Sequence, residues 1–196
     1  MNDTQKKYMS LSIWVSVVLF AIRLIIAGIT MKLSLQSAYE LFGYAGEAIG
    51  AAAVIMFFYN KCLWKKVNFY SMPVLASHYE GKLMYTWKDQ MGERDVVMDI
   101  KQTFLNVKVS FGTSESTSDS INASITYIND EPYLQYLYLN TPNPNLREIS
   151  SIHYGHASFK LKNTDSLTGD YFTDRNTVGR IEVKAVLKKE DKNSER

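Results

Sequence analysis

Apolar and polar positions divide this chain into two unlike parts. Residues 11–31 read LSIWVSVVLFAIRLIIAGITM, an oily run that rises ~31 Å as a helix, close to the thickness of bilayer hydrocarbon. A second run of nearly equal length covers residues 39–59, and only residues 32–38 separate the two. The pattern therefore predicts an antiparallel transmembrane helical hairpin within residues 1–66. A short connector, NFYSMP, ends at Pro73, and beyond it no helical apolar period is sustained. Short alternating runs predict about eight strands instead, near 78–87, 95–101, 103–113, 119–128, 132–140, 152–161, 167–174 and 177–187.

Turn chemistry punctuates these runs: Gly92, Asn129-Asp130 before Pro132, Pro142 with Pro144, Asn163 to Asp165, and Asp174 to Asn176. Consecutive antiparallel strands of this kind form a meander. Residues 72–196 are thus expected to be all-β, an up-and-down, lipocalin-like barrel of about eight strands with a polar C-terminal tail. Closure removes exposed edges and leaves an interior that side chains fill or that holds one small ligand. An open sandwich is the competing architecture.

Alternation separates the inner wall from the outer, because charged residues mark the solvent face. In the last strand Arg180, Glu182 and Lys184 share the outer face, leaving Gly179, Ile181, Val183 and Ala185 inside. The same test sends Tyr79, Gly81, Leu83, Tyr85 and Trp87 inward from the first strand, and His153, Gly155, Ala157 and Phe159 from the sixth. It also gives Tyr171, Thr173 and, if that strand extends, Arg175; YLQYLYLN fits either phase, and Tyr136, Tyr138 and Asn140 are taken as its inward set. With Tyr127, this interior combines aromatic faces (Tyr85, Trp87, Tyr127, Tyr136, Tyr138, Tyr171) with hydrogen-bonding groups (Asn140, His153, Thr173, Arg175). Such a lining suits a ligand with flat rings and anionic groups, since aromatic faces stack on bases and arginine offers a planar fork to phosphate. Each tyrosine has an ordinary alternative as a core residue, and Arg175 as a solvated turn residue.

Each oily run carries one charge. Arg23 lies eight residues before Met31 and Glu47 eight after Tyr39, which puts both at similar depth, ~12 Å from the hairpin turn. An isolated charge near mid-bilayer costs about 2.5–3.5 kcal/mol on insertion scales, so two opposite charges at one depth predict mutual neutralisation, within the hairpin or between copies. The pair either sets helix register or forms a polar seam for assembly. Gly46 and Gly50 flank Glu47 in a small-xxx-small step that permits close backbone approach; its partner is either the first helix or a second copy. Lys6, Lys7, Lys61, Lys65 and Lys66 flank the outer ends, against Lys32 in the connection, which predicts both termini in the cytoplasm. A cleaved secretion signal would require a shorter apolar core and a small-x-small cleavage site.

A formal net charge of +2 argues against a nucleic-acid polymer as partner. The lone Cys62 excludes an internal disulfide. His78, His153 and His156 lack the spacing of a metal site, and no phosphate-loop or dinucleotide-fold glycine motif occurs. No catalytic constellation, metal site or cofactor is therefore expected. The serine-rich stretch at 110–120 reads as a strand end running into a polar loop.

The plan of two N-terminal helices followed by a compact barrel, beginning near YEGKLMYTW and closing with HYGHASFKL and LTGDYFTDRNTVGRIEV, resembles the two-transmembrane, β-strand-rich effectors of bacterial CBASS antiphage systems, partners of CD-NTase enzymes. The resemblance implies a protein of the bacterial inner membrane. It implies a cytoplasmic barrel that binds a cyclic dinucleotide made by a partner nucleotidyltransferase. Binding would then promote homo-oligomerisation of the helices in the lipid bilayer, membrane disruption and abortive infection. A membrane-tethered, lipocalin-like carrier of a small apolar ligand is the alternative.

Overall fold

The computed structural model describes residues 3–28, 34–87 and 90–186, and the chain divides into two compact units. The first holds helices α1 (Asp3–Ala27) and α2 (Leu35–Lys61), both long and apolar enough to cross a membrane. Helix α1 begins eight residues before the expected start and stops at Ala27 instead of Met31. Gly28 ends it by taking a left-handed conformation with φ of 62° and donating to the Ile25 carbonyl. Helix α2 starts where Ser34 caps it, its hydroxyl accepting from the Ser37 N–H at 3.1 Å. Lys32, the last residues of the expected first span and the C-terminal tail beyond residue 186 lie outside the described residues.

Ala48, Ala52, Met56 and Tyr59 form the buried stripe of α2. Steps of four, four and three keep them on one face, and the two alanines permit close approach to a neighbouring helix. Gly46 and Gly50 lie two positions away, about 200° around the helix, and a Cβ on either would meet nothing within 4 Å. Arg23 and Glu47 do pair: Nε donates to Oε2 at 2.8 Å, and the guanidinium lies 4.2 Å from the centre of the Tyr44 ring. The pairing holds although Arg23 is four residues from the end of α1 and Glu47 twelve from the start of α2.

Residues 103–105 also belong to this unit. Phe104 is 1% exposed, with the rings of Tyr8, Tyr59, Trp64 and Tyr70 at centroid distances of 5.2–6.2 Å. Asn60 clips the same segment twice, its carbonyl accepting from the Phe104 N–H and its Oδ1 from the Leu105 N–H, both at 3.0 Å. This corrects the expected strand over 103–113, because the apolar Phe104 is drawn into an aromatic socket and regular pairing resumes only at Val107.

The second unit is a closed antiparallel barrel of eight strands: β1 (His78–Trp87), β2 (Gln90–Gln102), β3 (Val107–Gly112), β4 (Ser116–Ile128), β5 (Glu131–Pro142), β6 (His153–Lys160), β7 (Ser166–Thr173) and β8 (Val178–Ala185). Each strand pairs with its sequence neighbour, and β1 returns to β8 with Gly81 opposite Val183. That seam needs glycine, since a Cβ on Gly81 would lie 2.0 Å from the Glu182 carbonyl oxygen. Asn129 and Asp130, both at positive φ, make the two-residue β4–β5 turn. Two expectations change here. Gly92 is not a turn residue but lies within β2, and the serine-rich stretch is not a loop: β4 begins at Ser116 after a short turn.

The interior is filled at one end only. Tyr79, Met98, Ile100, Val109, Leu134, Phe159, Leu167 and Val183 pack there, each 3% exposed or less. The Tyr79 hydroxyl donates to the Thr164 carbonyl at 2.7 Å and accepts from the Ala76 N–H at 2.8 Å, which seals that end with a satisfied polar group.

His78, at the first position of β1, joins neighbouring strands by charge. Nδ1 lies 2.8 Å from Asp99 and Nε2 3.2 Å from Glu80. The hydrogen bond to Asp99, then that to Glu80, holds the imidazolium above the ordinary histidine pKa. A raised folded pKa stabilises the barrel fully below about pH 6.5 and progressively less as pH rises through the raised value. The melting-temperature gap between the natural chain and His78→Asn should therefore be wider at about pH 5.5 than at about pH 9, on either side of the histidine range. An equal gap at both would show that the charge contributes nothing.

Candidate functional site: the open half of the barrel

Opposite the packed end, the barrel holds a cavity of about 340 Å³, within the ~300–1,000 Å³ range of small-molecule pockets. Strand alternation builds its wall. Tyr85 and Trp87 enter from β1, Tyr136, Tyr138 and Asn140 from β5, His153 from β6, and Tyr171 and Thr173 from β7, with Arg175 from the turn that follows. Nine of the ten predicted interior residues thus line one space. Tyr127 does not. It pairs with Pro132 beside the β4–β5 turn, so the hairpin carries it away from this cavity.

The rings leave room because glycines stand opposite them. Tyr85 is paired directly with Gly92, Tyr138 with Gly155, Tyr171 with Gly179, and, at the floor, Phe159 with Gly169. Each ring lies over the bare backbone of its partner: a Cβ on Gly155 would sit 2.3 Å from Cζ of Tyr138, and one on Gly92 2.3 Å from Cζ of Tyr85. Cross-strand partners share a face of the sheet, so glycine beneath an aromatic lets the ring lie along the wall instead of standing into the lumen. Tyr136 stacks on Phe159 at 6.1 Å and an interplanar angle of 7°. Burial raises the pKa of Tyr136, Tyr138 and Tyr171 far beyond the ordinary phenol value, which keeps all three as neutral hydroxyl donors.

Polar groups around the cavity are already oriented. Asn140 Nδ2 donates to Ser116 Oγ at 3.0 Å and Ser118 Oγ at 2.8 Å. His153 donates from Nδ1 to the Ser151 carbonyl at 2.9 Å, which orients the ring. The Thr173 oxygen accepts from the N–H groups of Arg175 and Thr177, and Arg175 Nη1 donates to Ser150 Oγ at 2.8 Å. The Arg175 guanidinium also lies 6.0 Å from the centre of the Trp87 ring. These constraints reduce the ordering cost of meeting a ligand.

Sequence reasoning missed Arg94, Glu115, Ser116, Ser118 and Ser150, all of which line the cavity. Arg94 lies one residue before the expected second strand. Ser116 and Ser118 alternate with Thr117 and Asp119 in the polar first five residues of β4, STSDS, which hydrophobic periodicity does not register. Gly155→Ala should push the Tyr138 ring off the wall, retain cooperative thermal unfolding and reduce the volume open to ligand, read crystallographically as a rotated ring. An unmoved ring would refute the spacing role.

Comparison with known proteins agrees with this architecture. Residues 70–185 match the family model described as Cap15, cyclic dinucleotide receptor domain. The whole chain is similar to CD-NTase-associated protein 15 of Staphylococcus schleiferi, 25% identical over 187 residues that cover 94% of this chain and 98% of that protein. The barrel with its half-open lumen therefore belongs to the Cap15 cyclic dinucleotide receptor family of CBASS effectors.

Proposed function

We propose that the open half of the barrel binds a cyclic dinucleotide supplied by a partner nucleotidyltransferase, and that binding promotes oligomerisation of the helical hairpins and disruption of the inner membrane. The observation that carries the reading is the glycine-backed aromatic cavity with an oriented arginine at its rim, inside the region that matches the receptor family. Flat rings held against the wall offer faces for bases. Arg175, fixed by Ser150 and Trp87, offers a fork for phosphate. A carrier of apolar molecules would be served poorly by this lining, because entry of such a ligand would strip water from Arg175, Asn140 and Arg94 without replacing its hydrogen bonds.

For the helical unit, the proposed assembly surface is the Gly46–Gly50 face, on which a Cβ meets nothing within 4 Å. The Arg23–Glu47 pair beside it neutralises two charges at one depth, so that copies can pack without an unpaired ion in lipid. On this reading the barrel and both termini lie in the cytoplasm, where the partner enzyme would release its product; the lysines flanking the outer helix ends support it. A ligand drives assembly only as far as it binds the assembled state more tightly than the separate one.

Two measurements test the reading. Calorimetric titration of the full chain in detergent with cyclic di-AMP, cyclic di-GMP, cyclic GMP-AMP and cyclic UMP-AMP should show binding of at least one. Arg175→Gln should weaken that binding roughly 10- to 100-fold, the range for loss of a hydrogen bond to a charged group; binding of none of the four would contradict the assignment. Gly46→Leu should retain binding, weakened by no more than the lost coupling to assembly, yet abolish most ligand-triggered leakage from vesicles containing the protein. Undiminished leakage would remove the glycine face from the account.

A further inference from the structure

Although the cavity wall otherwise suits an anionic ligand, it contains a carboxylate. Glu115, in the turn between β3 and β4, lines the pocket together with Arg94 of β2, whose Nη2 lies 2.9 Å from Oε1 of Glu115. Their position in the barrel explains why they meet. The β2–β3 ladder begins only at Val97 opposite Gly112, so the N-terminal part of β2 has β1 as its ladder partner and stands beside the β3–β4 turn with no backbone pairing across the gap. The Arg94–Glu115 pair spans that gap at the cavity rim. The turn itself is held: Thr113 N–H donates to the Ser116 carbonyl at 2.9 Å, and the Glu115 carbonyl accepts from Asn143 N–H at 2.9 Å.

The two arginines of the cavity are thereby in different states. Arg94 lies 5.7 Å from the centre of the Tyr85 ring and is neutralised by Glu115. Arg175 lies over Trp87 and donates to an uncharged serine. Tyr85 and Trp87 are two positions apart on β1, ~7 Å along the strand, so the two guanidinium groups accompany adjacent rings of one wall.

The geometry points to Glu115 as a built-in competitor for the second phosphate of the ligand: it holds Arg94 in the empty receptor, and a phosphate takes its place. This inference rests on the cyclic dinucleotide reading above. A cyclic dinucleotide carries two phosphates, and a cyclic mononucleotide carries one. A single phosphate is satisfied by Arg175 alone, whereas a second finds its cation only when Arg94 exchanges the carboxylate for it. Half-exposed Glu115 returns to water at small cost. The competition therefore sets affinity for doubly charged ligands and leaves that for singly charged ones nearly untouched.

Titration of the full chain with the tightest-binding member of the four cyclic dinucleotides, and in parallel with cyclic AMP, decides the matter. Glu115→Gln should tighten the dinucleotide by roughly three- to fivefold, the scale of an exposed ion pair, and change cyclic AMP affinity by less than twofold (about the error of such a comparison). Glu115→Ala should do the same, with melting temperatures confirming that both variants fold. In an Arg94→Gln background the gain from Glu115→Gln should shrink, because the competitor no longer has its cation. Unchanged or weaker dinucleotide binding in Glu115→Gln would overturn this inference while leaving the receptor reading intact, as would an undiminished gain without Arg94. Failure of the natural chain to bind any of the four would overturn both.

Discussion

The candidate site depends on a steric constraint inside the barrel: an inward aromatic ring needs a partner without a side chain if it is to lie along the wall. An eight-stranded barrel is narrow enough for its side chains to fill it. In this chain they do so at one end, where Tyr79, Met98, Leu134, Phe159 and Leu167 exclude water. Toward the other end, the interior stays open because Gly92, Gly155 and Gly179 stand across from Tyr85, Tyr138 and Tyr171. Large apolar area is thus present without large apolar bulk, and the packed end provides a rigid base for the rings.

The same division assigns different kinds of work to different strands. The β1–β8 seam closes on backbone contacts that Gly81 and Gly179 alone permit, since a Cβ on either would lie 2.0 Å from a carbonyl oxygen of the facing strand. Where the ladder between β2 and β3 stops short, side chains take over, and Arg94 with Glu115 bridges the rim. Backbone hydrogen bonding and charge pairing are not equivalent there: a ladder is a cooperative row of bonds, whereas Arg94 and Glu115 form a single, half-exposed ion pair. The place where regular structure ends is also where a ligand has leverage.

Much of this was legible from alternation. The first strand is found at the expected residues, and the inward assignments for Tyr85, Trp87, Tyr138, Asn140, His153, Tyr171 and Thr173 agree with the cavity lining. Charged residues on the opposite face fix the phase of the first, sixth and seventh strands, whereas the fifth has no charge between Pro132 and Pro142 and alternation alone leaves its phase open. The opposed charges at positions 23 and 47 likewise announced a pair. Register was not legible. Nothing local in the sequence says that Tyr138 faces Gly155, so Gly155 and Gly179 read as inward positions with no ring assigned to them, and Gly92 as a turn. Residues 103–105 were misread because an aromatic in an alternating run looks the same whether it enters the barrel or the socket of Tyr8, Tyr59, Trp64 and Tyr70. The serines of β4 were missed for a related reason: their inward face is polar, and the periodicity that marks a strand is normally carried by hydrophobicity.

A structure of the full chain with a bound cyclic dinucleotide tests the central claim most directly. The account predicts ligand density in the open half of the barrel, with the bases against Tyr85, Tyr138 or Tyr171 and each ring still over its glycine. Density on the outer wall, or rings swung into a lumen that excludes the ligand, would contradict it.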